Sequence, residues 1–89
     1  MKKESEKLIE RKLVEHVKTN GGLCIKLLCD QFIGLPDRLC LLPNQKAVFV
    51  EVKTTGKKPR KIQALVHNKL RALGFRVEVI DSVEQIKNI

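Results

Sequence analysis

Two short stretches carry the residues with chemistry in them. "GLPDR", Gly34 to Arg38, sets an aspartate directly after a Gly-x-Pro turn, and "VFVEVK", Val48 to Lys53, sets an acid and a lysine two positions apart in an apolar run. In a strand, residues two apart share a face, so Glu51 and Lys53 project together while Val48, Val50 and Val52 project to the other side. An acid in such a run is costly to bury unless it is paired or holds a cation. Asp37 begins one strand and Glu51 lies inside its hairpin neighbour, which brings both carboxylates to one point near the sheet edge, beside Lys53. Two converging acids repel, and without a cation one is driven to protonate. A divalent ion removes the repulsion. Mg²⁺ takes a few carboxylate oxygens plus waters and substrate phosphates, which Asp37, Glu51 and a strand carbonyl leave room for. Lys53 is then placed to orient or help deprotonate water and to stabilise charge developing on a phosphate.

Competing chemistries find little support. The chain has no Gly-rich nucleotide-binding loop, no G-x-S-x-G and no H-E-x-x-H. His16 and His67 fall on separate helices with no Cys or Ser motif around them, so they read as surface or packing residues. His67, on the same flank as Gln63, is the exception to watch.

The elements that must position these residues follow from periodicity and punctuation. Glu4 to Lys18 reads as a helix with Ile9, Leu13, Val14 and Val17 as its apolar stripe, stopped by "NGG" at Asn20 to Gly22. Glu10 falls between Leu13 and Val14, inside the stripe, which points to a functional role; Glu6, a turn earlier, lies where helix ends fray. Leu23 to Leu28 is the first strand, "CDQFIGLP" an irregular connection, Asp37 to Leu42 the second strand, and Ala47 to Thr54 the third. The turn "PNQK" joins the last two. These three form an antiparallel meander. "TTGKKPRK" breaks the pattern as a flexible basic loop. Lys61 to Leu73 is a helix with Ile62, Leu65, Val66, Leu70 and Leu73 inward and Gly74 as its stop. Lys69 sits near the middle of that apolar face, an odd place for an ammonium. Phe75 to Ile80 is a fourth strand, and Ser82 caps a short final helix holding Val83 and Ile86. The fold class is α/β with a mixed sheet, in the order α-β-β-β-α-β-α, as one domain over residues 1–89.

Size and charge bound the partners. At 89 residues the core is marginal and dimerisation would help it. Lys and Arg number 18 against 10 Asp and Glu, a net charge of +8 that favours a polyanion or anionic membrane. No apolar run approaches the ~20 residues of a membrane span, and "MKKESEK" lacks the apolar segment of a signal peptide, which predicts the cytoplasm. Cys24, Cys29 and Cys40 are odd in number, lack C-x-x-C spacing and sit in apolar stretches, as small buried hydrophobes do in a reducing compartment. That pattern disfavours a zinc site with His16 or His67. Tyr and Trp are absent and Phe numbers 3, so backbone contacts rather than base stacking are left as the main grip on nucleic acid.

Pro36 and Asp37 followed by "EVK" at Glu51 to Lys53 resemble the PD…(D/E)xK signature of restriction-endonuclease-like nucleases. More narrowly, "IERKL", "GGLCIK", "GLPDR", "VFVEVK", "GKKPRKIQ" and "LRALGFRVEVIDSVEQI", in that order, resemble the minimal VRR-NUC domain in its stand-alone bacterial and bacteriophage form. The likeness covers almost the whole chain. It implies a restriction-endonuclease-like core and a nuclease dependent on Mg²⁺ or Mn²⁺, with homodimeric members resembling Holliday-junction resolvases. Asp37 and Glu51 would be metal ligands with the Val52 carbonyl, and Lys53 the catalytic lysine. Glu10 would be the first-helix acid at or beside the metal, and Gln63 the glutamine that contacts the attacking water, the metal's waters or the scissile phosphate. The expected substrate is branched DNA, in particular four-way junctions cut by a homodimer. The rival readings are a non-catalytic DNA- or RNA-binding module on the same fold, and a nuclease of relaxed selectivity for flaps, single strands or plain duplex. Lys57, Lys58, Arg60 and Lys61 follow the active-site strand at once and are expected to bind phosphates; Arg38 and Lys26 are lesser DNA-binding candidates.

Overall fold

A serine begins the first helix and two glycines end it. The Ser5 hydroxyl accepts from the Leu8 backbone N–H at 3.1 Å, so α1 (Glu6–Thr19) starts on a satisfied cap. At its other end Gly21 N–H bonds the Lys18 carbonyl and Gly22 N–H the Val17 carbonyl, a paired closure that requires the left-handed turn at Gly21, φ 79°. Gly22 answers to space rather than dihedral: a Cβ there would collide with the Leu41 carbonyl, so the chain re-enters the sheet only without a side chain. The computed structural model describes residues 2–89.

After α1 come β1 (Leu23–Lys26), β2 (Arg38–Leu42), β3 (Lys46–Val52), α2 (Lys61–Ala72), β4 (Arg76–Ile80) and a closing 3₁₀ helix (Val83–Asn88). The four strands make one mixed sheet in the order β1-β2-β3-β4. The first three form the expected antiparallel meander, with Cys24 opposite Cys40 and Arg38 opposite Val50. β4 runs parallel to β3, with Val52 opposite Ile80, because α2 carries the chain back to the start of the sheet. The last element is 3₁₀ rather than α-helical, and β1 is two residues shorter than its apolar run.

Alternation divides the sheet into two unlike faces. Cys40, Val48, Val50, Val52 and Ile80 pack on Ile9, Leu13 and Val17 of α1 and on Ile86 and Ile89, and this is the apolar core. Burying a Val or Ile side chain contributes ~1.5–3 kcal/mol, so this one face accounts for most of the fold's hydrophobic stabilisation. The opposite face meets α2, and there the expected packing is reversed. The buried residues of α2 are Gln63 and His67, whereas Leu65 is 63% and Leu73 64% exposed. The helix turns its polar flank inward because Glu51 waits there to be bonded; of the residues expected inward, Val66 and Leu70 are half-buried while Ile62, Leu65 and Leu73 form an outer stripe. Lys69 in the middle of that stripe faces solvent, which removes the oddity of an ammonium on an apolar face.

Candidate active site

The Gly-x-Pro turn sets the position of Asp37. Gly34, φ 99°, lies so close to α2 that a Cβ would press on the Ile62 carbonyl and the Val66 side chain, and Pro36 is fully buried. Asp37 stands one residue ahead of β2, yet its carbonyl accepts from the Leu27 N–H at 2.9 Å and the register of β2 on β3 carries it opposite Glu51. The two acids therefore share the α2 face of the sheet. The cross-strand position of Val52 is Pro36, beyond the end of β2, so no backbone ladder reaches the Val52 N–H from that side. The Asp37 carboxylate does, with Oδ2 accepting at 2.9 Å.

Glu51 is 1% exposed. Its Oε2 accepts from Gln63 Nε2 at 3.0 Å and pairs with Lys53 Nζ at 3.3 Å. Gln63 is aimed by its own helix: its Oε1 accepts from the Arg60 N–H at 2.8 Å, which leaves the amide nitrogen facing Glu51. Glu51 Oε1 and His67 Nε2 face each other at 3.8 Å, both buried and both without a hydrogen-bond partner. Burial, and after it the Asp37 charge, holds the Glu51 carboxyl above the usual carboxylate range; Lys53 opposes this and Glu6 adds to it. Burial, with Arg71 and Lys53 near, pushes His67 below the usual imidazole range, which keeps the ring neutral.

Glu10 does not join this group. Its Oε2 accepts from Arg38 Nε at 2.9 Å and lies 3.9 Å from Lys26 Nζ. Arg38 pairs with Val50 rather than Glu51, so this acid and its two cations belong to the α1 face. Within the apolar stripe of α1 its carboxylate is partnered by the Arg38 guanidinium. Among the described residues no three His, Cys, Asp or Glu side chains converge as a metal centre. The α1 acid whose charge is felt at Glu51 is Glu6. The helix start that carries it is held rather than frayed: Glu4 N–H bonds Thr55 Oγ1 at 2.9 Å and Thr55 N–H bonds the Glu4 carbonyl at 3.1 Å.

The remaining donors suit a divalent ion of the Mg²⁺ kind, which binds through one or two carboxylates and keeps its waters. Asp37, Glu51 and the Val52 carbonyl would supply such a set. A buried carboxylate oxygen without a donor, on an acid whose proton is favoured by a second carboxylate, is the electrostatic condition a cation relieves. Beyond Lys53 the chain turns through Thr55, whose hydroxyl donates to the Asp81 carbonyl at 2.8 Å, and Gly56, whose N–H bonds Asp81 Oδ2 at 3.0 Å. The basic loop is thus anchored at its root. Lys57, Lys58, Arg60 and Lys61 are all exposed, and no carboxylate of the described residues pairs with them. Arg38 is mostly buried and committed to Glu10; Lys26 is open to solvent.

A mixed sheet with a helix on each face, an acid before its second strand and acid-x-lysine at the end of its third is the core of restriction-endonuclease-like nucleases. A solved structure described as a VRR_NUC domain superposes with a TM-score of 0.87 at 31% sequence identity, over 96% of this chain and 94% of that one. "Putative nuclease p44" of Acyrthosiphon pisum secondary endosymbiont phage 1 is 46% identical over 77 residues, 86% of this chain and 83% of that protein. No protein-family model matches the chain. The chain belongs to the VRR-NUC family.

Proposed function

We propose that this protein is a divalent-metal-dependent endonuclease that hydrolyses phosphodiesters in branched DNA, four-way junctions above all, as a homodimer. The observation that carries the proposal is the meeting of Asp37, Glu51, Lys53 and Gln63 at the end of β3, where each has a placed partner. Asp37, Glu51 and the Val52 carbonyl hold Mg²⁺ or Mn²⁺, and the bound ion supplies Lewis acidity toward phosphate and water. Lys53 donates to the scissile phosphate and stabilises the charge that grows on it. Gln63, fixed on the helix start, orients the attacking water. Lys57, Lys58, Arg60 and Lys61 line the approach and hold neighbouring phosphates. Glu10 keeps Arg38 in place.

The homodimer is supported by the face α2 leaves uncovered. Leu23 and Ile25 of β1, Phe32 and Ile33 of the following loop, and Ile62 and Leu65 of α2 are exposed large apolar residues. Burying ~800 Å² per partner is standard for a stable interface, roughly an eighth of the 6178 Å² surface, and two sites fixed by one two-fold axis match a junction with two symmetric strands. A bacterial cytoplasm, as in a phage-infected host, is the proposed place of action; no helix of the described residues is long and apolar enough to cross a membrane.

Incubating labelled junction, flap, single-stranded and duplex DNA with Mg²⁺, Mn²⁺ or EDTA tests this. Wild type is expected to nick the junction with metal, and Asp37→Asn and Lys53→Ala to lose ~10²–10³-fold in rate. Binding without cutting under any metal would make the protein a binding module, and equal cutting of all four substrates would make it a nuclease of relaxed selectivity.

A further inference from the structure

The mechanism leaves all three cysteines unused, and two of them stand directly opposite one another. Cys24 on β1 pairs in register with Cys40 on β2, and their sulfurs are 3.8 Å apart as free thiols. The hydrogen-bond alternation of the hairpin decides which kind of rung they occupy. Leu27 N–H bonds the carbonyl of Asp37, its register partner, so Leu27/Asp37 is a bonded rung and, counting back, so are Ile25/Leu39 and Leu23/Leu41. Cys24/Cys40 falls between them on a non-bonded rung, the kind whose Cα atoms approach to ~4.5 Å and whose side chains lean together. That spacing lies at the short end of the range a disulfide spans, ~4.4–6.8 Å. Closing the bond needs the sulfurs to approach further but no change of register.

We infer that Cys24 and Cys40 are a redox modification site, at which a low-molecular-weight disulfide of the glutathione class converts the two thiols into a cross-strand disulfide within one chain. The division of labour follows from burial. Cys40 is fully buried in the core, whereas Cys24 is half-buried on the edge strand, where an oxidant can reach it. The hydrogen bond with Cys40 and the nearby Arg38 guanidinium bring the Cys24 thiol down to about 7, against the burial that pushes it up, while Cys40 is pushed upward. Cys24 thiolate attacks the small disulfide and releases one thiolate. Cys40 gives up its proton, attacks Cys24 Sγ and expels the second. Two electrons pass from the protein to the oxidant, which leaves as two thiols. On an edge strand, with Cys24 half-buried, the bond stays within reach of a small thiol, which suits a reversible modification rather than a permanent staple.

Its place in the fold says what it would touch. On the same face, the next rung along is Lys26/Arg38, the two cations that hold Glu10, and Arg38 Nη1 also reaches the Cys24 carbonyl at 3.5 Å. The bond would tie the edge strand to β2 at that point and close a loop of 16 positions that contains the segment leading to Asp37. Cys29 is exposed on that segment and has no part in the pair. Both sulfurs lie on the α1 face, away from the apolar surface assigned to a second copy.

Peptide mapping by mass spectrometry tests the inference directly. The full chain is equilibrated with reduced and oxidised glutathione over a series of ratios, quenched with acid and an alkylating agent, and digested without reduction. Wild type and Cys29→Ser are expected to lose the mass of two hydrogens and yield one cross-linked peptide pair joining Cys24 to Cys40, reversed by dithiothreitol, with a melting temperature at least ~5 °C higher when oxidised. Cys24→Ala should lose the cross-link without loss of fold, since that residue is on the edge. Glutathione adducts on Cys24 with no internal cross-link, a cross-link through Cys29, or oxidation that leaves both Cys24 and Cys40 alkylated would each overturn the inference.

Discussion

Glu51 is where the structure holds the most electrostatic tension. Its carboxyl is kept above the usual range by burial first and by Asp37 second, so the folded chain binds that proton more tightly than the unfolded chain does. Stability therefore falls as pH rises from the ordinary glutamate value toward the raised folded value, and the destabilisation is fully present above both. Glu51→Gln removes the charge and keeps the acceptor for Gln63 and Lys53, while the introduced amide nitrogen can donate to the unpartnered His67 Nε2. In metal-free buffer this variant is expected to melt ~4–8 °C above wild type near neutral pH, about 1 kcal/mol for a domain of this size, with the gain shrinking toward about pH 4. Scanning calorimetry across that range checks it; a variant that melts lower than wild type at neutral pH would mean the buried charge is already compensated. At this scale much was legible. An acid two residues before a lysine in a valine-rich strand declared a polar point on an apolar face, and Pro-Asp named its partner. For Glu10, an acid inside a helical stripe signals only that it has a partner, and Arg38, which the structure places against it, is 28 positions away. Glu6 sits at a helix start that looks frayed in sequence because the bonds that hold it run to Thr55, across the fold.

Among the elements, strands and turns were easier to read than the facing of α2. Element order, the antiparallel meander and the glycine stops at Gly21 and Gly74 follow from local punctuation, whereas boundaries shift by a residue or two where tertiary bonds decide them. The helix shows why periodicity alone can mislead: an apolar stripe tells that a face will be covered, not by what. Ile62, Leu65 and Leu73 form such a stripe, yet within one chain the sheet claims Gln63 and His67 instead. If the outer stripe seats a second copy, Leu65→Glu puts an unpaired charge in the interface. Light scattering with size exclusion is expected to show wild type as a dimer and this variant as a monomer with at least ~10-fold weaker self-association. A wild type that stays monomeric at high concentration would remove the dimer from the proposal.

For the molecule as a whole, one sheet serves two purposes. Its α1 face carries the apolar core and the ion pairs of Glu10; its α2 face carries the acids, the lysine and the glutamine, with basic residues fanning out from the loop that follows. The net charge of +8 favours a polyanion, and the exposed Lys57, Lys58, Arg60 and Lys61 follow directly on the strand that carries Glu51. Crystals soaked in Mn²⁺ and measured for anomalous scattering test that centre most directly. A peak is expected within ligand distance of both Asp37 and Glu51 and of the Val52 carbonyl. A peak elsewhere, or one touching Asp37 while Glu51 stays turned into its bonds with Gln63 and Lys53, would contradict it.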